Sequence, residues 1–281
     1  MKKTLVFIMS SNYSGSHYLS QLLGSNSKAI HVGEVKNVIK QNHECYICGD
    51  TDNCSLFGGL GGLPKEEIYP TLFDRAPEGT RILVDNSKKV GWVQQFLFLK
   101  KIYNIKIIYL LRDPRALSRR WAIRDINALQ HFRVRYKSAK RFPSQSLPIL
   151  FGDPVNAYIY RWLEQNQRIS NFIESAGVET IVTTYQELAS DTSKALAKLT
   201  NFIGAKFEKE QIEYWNFDHH GTQKDQYEWV KKQGISAHID LRWKEFLTEK
   251  QHRLIKNSAP LHEFFHRMHV EMHDDGLYLT T

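Results

Sequence analysis

The sequence predicts an α/β protein with a central parallel sheet flanked by helices. Three observations predict it. Continuous apolar runs of strand length recur along the chain, helix-period stripes lie between them, and polar Ser/Gly or Asp-Pro loops close the runs. Apolar runs without alternation suit central parallel strands, which are buried on both faces.

The first run is Thr4 to Met9. The polar stretch after it turns helical, with Tyr18, Leu19, Leu22 and Leu23 on one stripe and Gly24 as the expected stop. A second strand is expected over Arg81 to Asp85, followed by helical spacing from Trp92 to Tyr103. A third run, Lys106 to Pro114, is a strand closed by its Asp-Pro. Val155 to Ile173 reads as a long amphipathic helix with Tyr158, Ile159, Trp162, Ile169 and Phe172 inward. Val178 to Tyr185 is a fourth strand, and Ser193 to Ile203 a helix ending at Gly204. The last third reads as helical and polar. No internal repeat and no linker-like tract divides the chain, so a single domain over 1–281 is expected. It carries a Cys-containing insertion near 41–64 and a basic segment near 119–150.

The chain has 281 residues, of which 42% are hydrophobic, enough for one large core. No stretch approaches the ~20 apolar residues of a membrane helix. The apolar run at the N-terminus leads into a polar loop instead of a cleavage site, so a cytoplasmic protein is expected. The net charge of +8 favours anionic partners without choosing among them.

Sheets of this kind bind ligands at the carboxyl ends of their strands, and every loop of interest follows a strand. The loop after the first strand, with Ser14, Gly15 and Ser16, suits an anion at a helix N-terminus. It lacks the GxxxxGK[ST] pattern of nucleoside-triphosphate loops, which counts against a nucleotide kinase. The capped-helix reading of the same loop carries no ligand. Arg112, at the end of the third strand, can grip a phosphate with two parallel hydrogen bonds; alternatively, Arg112 and Asp113 form a local salt bridge at a helix start.

These segments together resemble the PAPS-dependent sulfotransferases (PAPS is 3′-phosphoadenosine-5′-phosphosulfate), mainly of bacterial type, with similarity to tyrosylprotein sulfotransferases in the catalytic loops. The resemblance implies a P-loop nucleotide-binding-like sulfotransferase fold and transfer of a sulfuryl group from PAPS to an acceptor hydroxyl. "SNYSGSHYLSQLLGS" resembles the 5′-phosphosulfate loop, which assigns Tyr13, Ser14, Gly15, Ser16, His17 and Tyr18 to the nucleotide. Tyr13 stands where the family has Lys or Arg, so another cation must supply that charge. "LLRDPRALSRRW" resembles the 3′-phosphate motif, which implies Arg112, Arg115 and Arg120 as its ligands. Arg120 takes the place of the usual Ser, and Ser118 is a nearby alternative. Tyr185, Leu188, Phe202 and Gly204 match a later block, in which the family's Tyr lies close to the nucleotide. "HHGTQKD" resembles a segment that closes over the nucleotide and implies contacts from His220, Gly221 and Lys224. "DLRWKEFL" resembles the closing D-x-x-W-[RK] helix.

For the chemistry, the resemblance implies Glu34 as general base, with His31 as second candidate, and Lys88 as a residue assisting the leaving group; His17 is placed beside them. Asp85 and Ser87 are expected to shape the turn before Lys88. The acceptor implied is a small molecule or glycan bearing a hydroxyl, a carbohydrate or glycolipid first among them, and no nucleic acid is expected. From Arg119 to Arg141 eight Arg or Lys residues face one acid, Asp125, with aromatics interleaved. This segment falls where the family varies its acceptor-binding part. The departures at Tyr13 and Arg120 motivate an alternative, a catalytically weak relative that binds PAP or an anionic glycan. Cys45, Cys48 and Cys54, with His43 just before them, are compatible with reduced thiols, a disulfide or zinc. Because all four candidates fall within twelve positions, no metal ligand is assigned and none is required by the expected reaction.

Overall fold

The computed structural model describes residues 2–40, 45, 47–50, 52–124, 127–221, 234 and 237–280. Five strands form one parallel sheet: β1 Thr4–Ser10, β2 Ala29–His31, β3 Ile82–Lys88, β4 Asn104–Leu111 and β5 Glu179–Thr184, in the spatial order β2-β3-β1-β4-β5. The chain builds one side of β1 first and then crosses to the other. The switch point therefore lies at the carboxyl end of β1, between β3 and β4, where open α/β sheets form a crevice.

The three inner strands are buried on both faces, as their apolar runs require. β1 sends Leu5, Phe7 and Met9 into one core and Val6 and Ile8 into the other. Helices α3 (Lys65–Arg75), α4 (Val90–Gln94) and α8 (Pro154–Ala176) cover the first face, while α1 (Ser16–Gly24) and α10 (Thr192–Ile203) cover the second. Between them in the chain run α2 (Val35–Val38), α5 (Pro114–Arg124), α6 (Ala128–Arg141), α7 (Ser146–Phe151) and α9 (Tyr185–Ser190). In α8 the expected inward residues Tyr158, Ile159, Trp162, Ile169 and Phe172 are all buried. Helix α10 ends at Gly204, whose φ is +92°.

Gly24 is the last residue of α1, as expected, with Ser25 as the C-cap. Its missing side chain makes room for β2, since a Cβ there would stand 2.3 Å from the backbone nitrogen of His31. Two other expectations need correction. The Trp92–Tyr103 stretch is a short helix, α4, followed by a 3-10 turn over Leu97–Lys101. The C-terminal third carries helices at Trp243–Phe246, Glu249–Lys256 and Ala259–Arg267, but ends in an antiparallel hairpin of β6 (Val270–Met272) and β7 (Leu277–Leu279). Among the described residues no helix is long and apolar enough to cross a membrane.

Candidate active site

A cleft of about 710 Å³ opens at the switch point. It brings together Tyr13, Gly15, Ser16, His17 and Tyr18 from the loop and helix after β1, Glu34 after β2, Lys88 at the end of β3, and Arg112, Arg119 and Arg120 after β4. Asp240, Arg242 and Tyr214 complete the wall.

The loop after β1 is held in an unusual backbone shape. Tyr13 has φ +70° and Gly15, the N-cap of α1, has φ +89°. Only glycine adopts that region at little cost, and a second constraint acts at Gly15: a Cβ would meet the ring of Tyr185 at 2.7 Å. The Ser14 hydroxyl is sealed from solvent and, among the described residues, has no hydrogen-bond partner. A buried hydroxyl without a partner is costly. Here it sits at a helix N-terminus, where an anion would satisfy it.

Arg112 leaves the end of β4 and reaches across the mouth of the loop. Its Nη1 donates to the Tyr13 carbonyl at 2.8 Å, its Nη2 pairs with Asp240 at 2.9 Å, and its plane lies 4.1 Å over the Tyr185 ring. Its Nε is buried with no partner among the described residues. The buried Ser118 hydroxyl is likewise unpartnered. Tyr13 supplies no charge, but the guanidinium groups of Arg120 and Arg124 stack on its ring at 4.9 and 5.3 Å. The cations that the loop lacks thus come from helix α5 (Pro114–Arg124).

Glu34 and Lys88 face each other across the cleft floor in a salt bridge. The Asn37 amide donates to the other oxygen of Glu34 at 2.6 Å, so the carboxylate has a fixed orientation. Lys88 has φ +64°. Just upstream, the Ser87 N–H donates to Asp85 at 2.6 Å and the Ser87 hydroxyl accepts from the Lys36 N–H at 3.1 Å, which is the turn expected of these two residues. Asp85 is buried among Tyr69, Trp92 and the strand; burial pushes its carboxyl up to about 6 against the hydrogen bonds of Ser87, Tyr69 and Trp92.

His17 is part-buried, with its Nδ1 sealed and without a partner among the described residues. Burial first, and the Lys88 charge second, lower its pKa to about 4. It is therefore neutral near pH 7. His31 is fully buried beneath it, ring centroids 5.0 Å apart, and its Nδ1 pairs with the Ser20 hydroxyl at 2.6 Å. Burial, and then the neighbouring histidines, hold His31 well below its ordinary value. His31 does not line the cleft.

Several expected residues stand elsewhere. Arg115 is 8% exposed and turned away from the cleft. It forms a two-point salt bridge with Asp113, donates to the His273 carbonyl and stacks 4.0 Å from the Trp243 ring. The local salt bridge considered for Arg112 is thus made by Arg115. Tyr185 supports the loop as the platform between Gly15 and Arg112. The Nδ1 of His220 faces the cysteines, at 3.2–3.6 Å from their sulfurs. Glu187 closes a capping box with Thr184, which makes that block scaffold. His43 and Lys224 lie outside the described residues.

Sequence reasoning missed Asp240 as a partner of Arg112. Asp240 also accepts from Arg242 at 2.7 Å, while the neighbouring His238 carbonyl accepts from Tyr185 and the Ala237 N–H donates to Tyr18. The signal was the Asp of the D-x-x-W stretch, which pattern alone does not connect to an Arg 128 positions away.

A second cavity of about 550 Å³ adjoins the first, and Lys88 lines both. Lys36, Lys40, Lys65, Lys89 and Arg168 surround it over an apolar floor that includes Ile39, Trp92 and Phe96, and among the described residues no acidic one lines it. Burial, and then the charges of Lys88 and Lys36, push the Lys89 ammonium down.

No family model matches the chain, and none of the curated proteins does. Among solved structures the chain is similar to sulfotransferases. One is the sulfotransferase domain from the curacin biosynthetic pathway, at 17% identity and TM-score 0.49 over 91% of this chain and 97% of that one. A second is the sulfotransferase domain of the olefin synthase of Synechococcus PCC 7002, at 16% and 0.47 over 87% and 93%. A third is a mouse sulfotransferase complexed with PAP, at 16% and 0.46 over 95% and 86%. What the chain binds has to be read from the side chains of its own cleft.

Proposed function

We propose that the chain is a PAPS-dependent sulfotransferase whose acceptor carries a hydroxyl close to an anionic group, as acidic carbohydrates and glycolipids do. The observation that carries the reading is the convergence, at the switch point, of an anion-ready loop and a cationic wall. The Ser14 hydroxyl and the Arg112 Nε are buried polar groups that lack a partner among the described residues. Both suit phosphate or sulfate oxygens, and the 3′-phosphate gives Arg112, Arg120 and Ser118 a shared anion. PAPS supplies the sulfuryl group; the residues do the rest.

The loop Tyr13–His17 holds the 5′ anion through backbone N–H groups and Ser14. His17, neutral at pH 7, offers a ring N–H in place of a charge. Glu34 accepts the proton of the acceptor hydroxyl as that oxygen bonds to sulfur. Lys88, released from Glu34, neutralises the phosphate oxygen that keeps the electron pair when the old S–O bond breaks. Positioning and charge neutralisation account for most of the catalysis, as in phosphoryl transfer. The second cavity is the acceptor side: it meets the first at Lys88, and its lysines favour an acceptor with its own negative charge.

Incubation of the protein with sulfur-labelled PAPS and matched panels of neutral and acidic sugar acceptors tests this. Label should pass to acidic hydroxyl compounds in preference to neutral ones. Tight PAP binding with no transfer to any hydroxyl would instead favour a non-catalytic PAP-binding protein, a reading for which Tyr13 in place of a cation is the specific motive.

A further inference from the structure

The cysteine cluster lies outside the cleft and takes no part in the proposed chemistry. The sulfurs of Cys45, Cys48 and Cys54 and a ring nitrogen of His220 all lie within 4.8 Å of one another. The Nδ1 of His220 stands 3.6 Å from Cys45 Sγ, 3.6 Å from Cys48 Sγ and 3.2 Å from Cys54 Sγ, and the Cys45 and Cys54 sulfurs are 3.7 Å apart. All three cysteines are free thiols. A tetrahedron with Zn–S bonds of ~2.3 Å and a Zn–N bond of ~2.05 Å has edges of roughly 3.8 Å between sulfurs and roughly 3.6 Å from sulfur to nitrogen. The Cys45–Cys54 edge and two of the three sulfur–nitrogen edges match these lengths, the third is 3.2 Å, and the sulfur–sulfur edges to Cys48 are within 4.8 Å.

We infer that Cys45, Cys48, Cys54 and His220 form a structural zinc site of the Cys₃His type. The sequence offered His43 as the fourth ligand, too near the cysteines along the chain to be convincing. The fold instead brings in His220, 166 positions beyond Cys54. Two independent chain segments meeting at one point is what closed structural zinc sites require.

The local backbone suits the role. The Gly49 N–H donates to the Cys45 carbonyl at 2.6 Å, and Gly49 has φ of +80°. A turn follows Cys54, where the Gly58 N–H donates to the Cys54 carbonyl at 2.8 Å. Arg75 of α3 donates to the carbonyls of Leu56 and Gly58 and anchors this turn to the core. Without a metal, three weak thiol donors and one imidazole would crowd together with little to bond to. With zinc, three thiolates and one neutral nitrogen fill the four positions, leaving none for a water; the ion is structural. It ties the insertion to the strand of chain that starts at the buried His219, which contacts Ser25 and the Tyr214 carbonyl.

The full chain should be purified under reducing conditions without chelator and its metal content measured by mass spectrometry. The expected content is about one zinc per chain. Stripped, reduced protein titrated with Co(II) should develop the intense visible bands of a tetrahedral thiolate site, which added Zn(II) then bleaches. C48S, at an exposed position, should keep its far-ultraviolet circular dichroism and lose most of the metal. H220A should alter the cobalt spectrum as a second, independent variant. Metal-free wild-type protein that gives no tetrahedral cobalt spectrum would overturn the assignment. So would full zinc retention in C48S, or a Cys45–Cys54 disulfide found by differential alkylation of the native protein.

Discussion

At the residue scale the cleft is a set of charges and hydroxyls held short of partners, and each makes a distinct prediction. Glu34→Ala removes the proton acceptor but leaves both anion loops intact. Its turnover should fall by about 10²–10⁴-fold, with PAP affinity within several-fold of wild type; unchanged turnover would remove Glu34 from the chemistry. Arg112→Ala takes away charged hydrogen bonds of ~1.5–3 kcal/mol. PAP binding should then weaken by roughly 10- to 150-fold in calorimetry. The same substitution frees Asp240, so an Asp240→Asn control separates loss of a ligand from loss of its orientation. His17 and the buried His31 give a pH signature. His17, at about 4 in the folded chain against an ordinary 6.5, is neutral in both states above pH 6.5 and contributes nothing there. As the pH falls from 6.5 towards 4, the unfolded chain takes a proton that the folded one refuses. Stability therefore drops by up to about 1.4 kcal/mol per pH unit for each such histidine, His31 acting in the same direction. Urea unfolding at pH 7.5 and pH 5 should show a lower midpoint at pH 5, and the difference should shrink in His17→Gln. Equal midpoints for the wild-type protein would contradict the neutral histidine pair.

At the scale of elements, the loop between β1 and α1 depends on one glycine. Gly15→Ala places a methyl against the Tyr185 ring in a left-handed backbone, where an L-residue costs roughly 1–2 kcal/mol before any clash. The melting temperature should fall and PAP binding should be lost; a variant that binds PAP normally would mean the loop is not the 5′ site. Elements of this kind were legible in the sequence when a local pattern specified them. β1, β3 and β4 announced themselves through the apolar runs that burial on both faces favours, and α8 and α10 because their stripes are long; β5, a half-buried edge strand, shows only a short apolar centre. β2 did not announce itself, since three residues at a sheet edge carry no period. Gly24 is both the end of α1 and the point where β2 approaches closely, and only the first was legible. Arg115 was placed with the phosphate ligands by motif position; whether a side chain turns to a ligand or to a neighbouring Asp113 and a distant Trp243 depends on packing that arrives from the C-terminal third.

At the scale of the whole molecule, the topology places everything that matters at one edge. Because β3 and β4 flank β1, the ends of three separate βα units meet in one crevice, and residues as distant as Tyr13, Lys88 and Arg112 become neighbours. That the loops share one edge was foreseeable, since they all follow strands; the strand order that brings them into one crevice came from the fold. What crosses the fold in three dimensions was not foreseeable: the Asp240 clasp on Arg112, the cationic cavity beyond Lys88, and the approach of His220 to the cysteines each join segments separated by long stretches of chain. The +8 net charge is consistent with both cavities being anion sites, so nucleotide binding should weaken as salt rises, though less than exposed charges alone would.

The central claim is that this crevice recognises a nucleotide with phosphates at both its 5′ and 3′ positions. Calorimetric titration of the purified chain with PAP, against AMP and ATP under the same conditions, tests it most directly. PAP should bind with a clear one-site isotherm and AMP at least about tenfold more weakly, since each such factor corresponds to ~1.4 kcal/mol and the missing 3′-phosphate removes charged bonds worth more than that. Equal affinity for AMP and PAP, a preference for ATP, or no heat with PAP would contradict the account.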